Sequence, residues 1–395
     1  MENNVNEVPD VNKDLYSEIT VEDIDEGQIT TPFDPSLIDI DSRILTISNI
    51  IDLMKNQEID LTPDFQRAGN LWDTGKQSRL IESIILRIPL PAFYFDVETK
   101  KNDDGISVSI LHVIDGLQRL SAIRNFMLPE EAGENALNLS GLEFLKRIEG
   151  KRFQELPGPY TRLIEQTQLN VYLIKPGTPV NVKFNIFKRV NTGGVPLTQQ
   201  EIRHALNQGI PAQFLKELAE SDHFKTATRN KIDPKRMFDR ELVNRFLAFY
   251  LLDRSNYLDL DSFLNKALAQ LNKLTEEERH NIEENFYETL DTIFACFGQY
   301  AFCKLDAYPR MKPLNKVLFE VLTVSVAKLS PEERKVLLKN AKETPQIYLP
   351  RYVALFQEND GQFTNLVSVS TSDMNRINKR YNIMETFLKG ILKNA

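Results

Sequence analysis

Strand-forming signals in this chain stop near residue 209, and that change of periodicity limits the folds open to it. Before it, helical stripes alternate with short runs rich in β-branched residues. Ile47, Ile50, Ile51 and Met54 recur at helical spacing with Ser48 as cap, and residues 76–86 carry Leu80, Ile81, Ile84 and Ile85 on one side. Residues 92–97 and 108–114 read as a hairpin around the charged turn 100–105, followed by a helix over 118–127. A third strand is read at 169–174, a helix through Phe184, Phe187 and Val190, and a further helix opened by the capping box of Thr198 and Glu201. After Gly209 nearly every apolar residue falls at helical spacing, as with Leu242, Val243, Phe246, Leu247, Tyr250 and Leu251. Residues 315–329 are apolar almost all round, as in a buried helix, and Ser330-Pro331-Glu332-Glu333 is a strong helix start. The expected class is α+β: a mixed α/β domain over 45–209 and an all-helical domain over 210–395, behind a leader of 1–44. At 395 residues the chain is long enough for that division.

Charge separates the leader from the body. Residues 1–41 hold twelve carboxylates and one lysine, a net −11, whereas the rest of the chain is +3, so the overall −8 does not exclude a polyanion-binding body. The leader reads as a solvated, disordered segment, with competition for a basic site as the sharper alternative. No apolar run approaches the ~20 residues of a membrane span. Residues 1–4 lack the basic and apolar regions of a signal peptide. Two cysteines, Cys296 and Cys303, exclude a disulfide framework or a four-cysteine zinc site. A cytoplasmic protein without membrane attachment is expected.

Three segments carry candidate chemistry. His112-Val113-Ile114-Asp115-Gly116-Leu117-Gln118-Arg119 runs from an apolar strand through a tight turn into a helix, a junction that aims backbone N–H groups at one point. Gly116 allows close approach, Arg119 suits a bidentate phosphate contact, and Asp115 could carry a metal ion or orient water; Asp115 as a simple helix cap is the competing reading. Phe187-Lys188-Arg189-Val190-Asn191-Thr192-Gly193-Gly194 ends a helix in a Gly-Gly turn that suits either a phosphate or a C-cap. Asp64-Phe65-Gln66-Arg67 places a second Gln-Arg pair in a loop before Trp72. Residues 223–240 hold six bases against two acids, and Arg229, Lys231, Lys235 and Arg236 are candidate DNA-backbone contacts; a solvated loop is the alternative. The stretch Gly69 to Gln77 has one residue too many for a phosphate loop and lacks its Ser/Thr, and the four histidines show no zinc or nuclease spacing.

Taken in order, these segments resemble the N-terminal family of GmrSD-type, modification-dependent restriction systems. The resemblance rests on Pro63, Phe65, Gln66, Arg67 and Trp72, then Arg87-Ile88-Pro89-Leu90-Pro91, then Asp115 to Leu120, then Phe187 to Gly194 with Leu197, Thr198 and Glu201-Ile202-Arg203. Asp239-Arg240-Glu241-Leu242 and Arg245-Phe246-Leu247-Ala248 extend it into the helical part. The resemblance implies a ParB/sulfiredoxin-like core and a role in recognising or cleaving foreign, often modified, DNA. The family's Asp-Gly-Gln-Gln-Arg motif is linked to nucleotide hydrolysis; here Leu117 replaces the middle Gln.

The combined expectation is a nucleoside-triphosphate hydrolase coupled to DNA. Asp115, Gln118, Arg119 and Arg67 would act on the phosphates, and Gln66, Gly116, Arg189, Asn191, Thr192, Gly193 and Gly194 would bind them. A divalent cation, magnesium, would sit on Asp115, and Arg119→Ala would abolish turnover with little effect on stability. The alternatives are a non-catalytic nucleotide- or DNA-binding module and a metal-dependent nuclease using the same core. Larger relatives add a His-Asn-His-type nuclease domain that this sequence lacks, so a separate nuclease subunit is an expected partner.

Overall fold

The computed structural model describes residues 38–61, 72–101, 107–190, 197–306 and 313–393. They divide into two compact units, one of residues 38–208 with 235–237 and one of 209–234 with 238–393. The fold is α+β, with all named strands in the first unit.

The first unit is built on a mixed five-stranded sheet. Its strands are β1 (Ile40–Thr46), β2 (Ile59–Asp60), β3 (Phe93–Lys101), β4 (Ser107–Asp115) and β5 (Gln168–Ile174), in the order β1-β5-β3-β4-β2. β1/β5 and β3/β4 run antiparallel, β3/β5 and β2/β4 parallel. Side chains alternate across the pleat. Phe93, Phe95, Leu111, Val113, Leu169, Val171 and Leu173 therefore face one layer, made of α1 (Ile47–Lys55), α2 (Thr74–Ile85), α3 (Leu117–Met127), a short α4 (Pro129–Ala132) and α5 (Gly158–Gln166). Ile114 and Ile174 face the other way, onto Phe184 and Phe187 of α6 (Val180–Val190) and Ile202 of α7 (Gln199–Leu206).

The expected hairpin, the 169–174 strand and the Thr198 capping box are all present. Two details differ. The cap of α1 is Thr46, whose hydroxyl accepts from the Asn49 N–H at 3.2 Å, and not Ser48. Strand β1, unanticipated, begins within the stretch read as leader. Its Asp41, Ser42 and Arg43 disguise it, because an edge strand leaves much of its surface to water.

The second unit is helical: α8 (Ile210–Glu220), α9 (Asp222–Ala227), α10 (Phe238–Leu251), α11 (Leu260–Leu271), α12 (Glu276–Phe297), α13 (Lys316–Ala327), α14 (Pro331–Glu343), α15 (Tyr348–Leu366) and α16 (Met374–Lys393). α13 is buried on every side, as its almost all-round apolar pattern requires. It still carries one acid: Glu320 accepts from Arg380 of α16 at 2.7 Å and lies 3.5 Å from Arg245 of α10. A buried acid held by two arginines fixes how three helices cross, because any other register strands a charge. Among the described residues, no helix is long and apolar enough to cross a membrane.

Candidate functional site

The carboxyl end of β4 forms a tightly specified corner. Gly116, which follows Asp115, has φ +101°, and a Cβ placed there would lie 2.4 Å from Cδ1 of Phe93. Both the backbone conformation and the space demand glycine. Gly116, the N-cap of α3, has no side chain with which to cap it, and the positive end of that helix follows directly on the Asp115 carboxylate.

Arg119 is drawn inward. Its guanidinium donates to the carbonyl oxygens of Pro91 and of Ala92 (3.1 Å) and to Asp115 Oδ2 (2.7 Å), and its Cζ stands 4.4 Å from the centre of the Phe93 ring. It is only 9% exposed. The group read from sequence as a phosphate clamp thus ties the start of β3, the end of β4 and the first turn of α3 together. Burial pushes the Asp115 carboxyl above its ordinary range, although Arg119 and the Gly116 N–H pull it down. Burial also lowers the Arg119 pKa, against the pull of Asp115. Desolvation therefore opposes both charges, and the pair holds them together.

Two sequence-distant motifs meet at this corner. The Trp72 N–H donates to Gln118 Oε1 at 3.3 Å, the Trp72 carbonyl accepts from Gln77 Nε2 at 2.9 Å, and Gln77 Oε1 accepts from Asn125 Nδ2 at 3.0 Å. The chain just after the Gln66-Arg67 segment is thereby fixed beside Gln118. Gln66 and Arg67 themselves lie outside the described residues, as do Asn191, Thr192, Gly193 and Gly194. Arg189 sits exposed in the last turn of α6, immediately before that Gly-Gly segment.

Sequence reasoning missed the groups that dock α6 on the sheet. Lys183 pairs with Asp96 of β3, both side chains largely buried. Next to them His112, opposite Asp96 in the β3/β4 register, meets Glu98 at 2.7 Å. Burial raises the Asp96 carboxyl and Lys183 draws it back down. Tyr94, opposite Asp115, stacks on Tyr172 with ring centres 4.9 Å apart. The alternation of Tyr94, Asp96 and Glu98 along one strand was the available signal, but their partners lie on other elements.

The four candidate DNA contacts do not share one surface of one unit. Arg229 turns back on its own unit, donating to Cys303 Sγ at 3.2 Å, and Lys231 is exposed nearby. Lys235 and Arg236 belong to the sheet-bearing unit, where Arg236 pairs with Glu201 at 2.9 Å. Among the described residues no cluster of three His, Cys, Asp or Glu side chains could hold a metal ion. Asp115 is a single carboxylate already bonded to a guanidinium, so these residues do not make a cation cage by themselves.

Comparison with curated proteins returns no match. Residues 47–208, which hold this corner and most of the sheet, match the model of the family described as GmrSD restriction endonuclease, N-terminal domain. The domain over those residues belongs to the GmrSD restriction endonuclease N-terminal family.

Proposed function

We propose that this domain binds a nucleoside triphosphate at the Asp115–Gly116 corner and hydrolyses it, as a DNA-associated component of a restriction-type defence system. The observation that carries the reading is the glycine-capped N-terminus of α3 directly after a half-buried carboxylate whose pKa burial has raised. The first-turn N–H groups and the helix dipole would take phosphate oxygens, with the nucleotide entering as its magnesium complex. Asp115 would orient the attacking water. Arg189, exposed at the end of α6, would supply a cation to the phosphates. Arg119 acts through Asp115 by holding it in place.

Phosphate release from each of the four ribonucleoside triphosphates with magnesium, with and without DNA, tests this. Turnover is expected from the intact chain, and Asp115→Asn is expected to lower it by about a hundredfold or more while the protein stays folded. A folded chain that releases no phosphate from any of them overturns the hydrolase reading. The specific observation favouring a second reading, a non-catalytic binding module, is that protein acceptors engage the Arg119 guanidinium. Under that reading, nucleotide binds and no phosphate appears.

A further inference from the structure

Phe144 is 70% exposed, yet the loop that presents it is among the most firmly held in the sheet-bearing unit. The carboxylate of Glu82, itself 3% exposed on α2, accepts from the backbone N–H groups of Glu143 (2.9 Å), Phe144 (2.7 Å) and Leu145 (2.7 Å). Glu149 accepts from Gly141 at 2.5 Å and Leu142 at 3.1 Å. Leu139 and the returning chain exchange two further bonds, Leu139 N to Lys151 O at 3.1 Å and Gly150 N to Leu139 O at 2.7 Å. Leu142 and Ile148 anchor the loop in the core. Phe144 thus projects from a preformed base and would lose little entropy on binding.

Its neighbours name the partner. Lys146, Arg147 and Arg152 are exposed within eight residues, Lys146 donating to the Leu142 carbonyl and Arg152 to Asn138 Oδ1 at 3.0 Å. Of the acids, Glu82 is buried, both Glu149 oxygens are turned onto backbone N–H groups, and Glu143 is exposed beside Phe144. Phe144 is the one large apolar side chain exposed in this loop. A protein interface would surround such an anchor with further apolar surface. A lone aromatic whose exposed neighbours include more cations than acids suits a nucleobase with flanking phosphates.

The geometry points to Phe144 as a DNA-contacting side chain that stacks on or wedges between bases, with Arg147 and Lys146 on the backbone. This deepens the DNA-associated part of the reading above and is independent of nucleotide turnover. Stacking and phosphate contacts read no base identity, so ordinary unmodified DNA is the appropriate probe.

The test is binding of the full chain to duplex and single-stranded DNA carrying the fluorescent base aminopurine. The intact protein is expected to bind and to brighten aminopurine as the base unstacks. Phe144→Ala, at an exposed position, is expected to leave the melting temperature unchanged, to weaken binding roughly tenfold and to abolish the brightening, with Phe144→Trp restoring both. Arg147→Ala is expected to lower the slope of log affinity against log salt by about one. Binding unchanged in Phe144→Ala overturns the proposal and leaves DNA association standing. No binding by the folded intact chain overturns it too and gives the exposed ring to a protein partner; phosphate release, scored separately, then decides the nucleotide reading.

Discussion

At the scale of single residues the corner turns on an asymmetry between its two charged members. Removing the Arg119 side chain leaves the Pro91 and Ala92 carbonyls unpaired and the Asp115 carboxylate without its counter-charge. Changing Asp115 to Asn leaves Arg119 its two carbonyls and its aromatic face. Breaking a buried pair from the cationic side is the more damaging direction here, so Arg119→Ala is expected to lower unfolding free energy by about 3 kcal/mol. Asp115→Asn is expected to lower it by no more than about 1 kcal/mol. Urea unfolding of the two variants checks this, and equal losses would show that Arg119 contributes nothing beyond its salt bridge. The sequence suggested the opposite for Arg119, a free phosphate clamp without structural weight. Strand, turn and helix were legible there because Asp-Gly after an apolar run is a local signal. The carbonyl acceptors of Arg119 were not, because they lie 27 and 28 residues upstream and only the hairpin register brings them close.

At the scale of elements, the same contrast separates what a sequence can announce from what it cannot. The caps of α7 and α14 were readable, since each box closes within four residues: Thr198 with Glu201, Ser330 with Glu333. The cap of the turn at 143–145 was not, because its acceptor, Glu82, sits some sixty residues earlier on α2. Burial raises the Glu82 carboxyl, but three backbone N–H groups and Lys146 outweigh it and draw it below its ordinary value of 4.5. A carboxylate whose pKa is lower folded than unfolded contributes stability above its unfolded pKa and loses it as pH falls through the folded one. Glu82→Gln should therefore cost about 1–3 kcal/mol near neutral pH. That difference from the intact protein should shrink as the medium is acidified below 4.5. Urea melts of both proteins across the acid range measure it. A difference independent of pH would mean that side-chain shape, and not charge, holds the loop.

At the scale of the whole molecule, the two units have cores of different chemical character. The sheet-bearing unit buries mainly Ile, Leu and Val with Phe93, Phe95 and Phe126, whereas the helical unit is built around packed aromatic pairs such as Phe246 with Phe286 and Phe249 with Tyr381. Each core is large enough to support its own cooperative transition. The chain is not divided at a single point: residues 235–237 return to the sheet-bearing unit, where Arg236 meets Glu201 and its carbonyl accepts from the Thr198 hydroxyl at 3.3 Å. Cutting at residue 208 would therefore remove part of what holds α7, and the intact chain is the proper subject for a melting experiment. Calorimetry is expected to show two transitions. Phe126→Ala, in α3, should lower one of them by roughly ten degrees and leave the other in place; Phe246→Ala, in α10, should do the reverse. A single transition moved by both substitutions would mean that the two cores unfold as one cooperative unit, and that binding at the Asp115 corner could be felt in the helices.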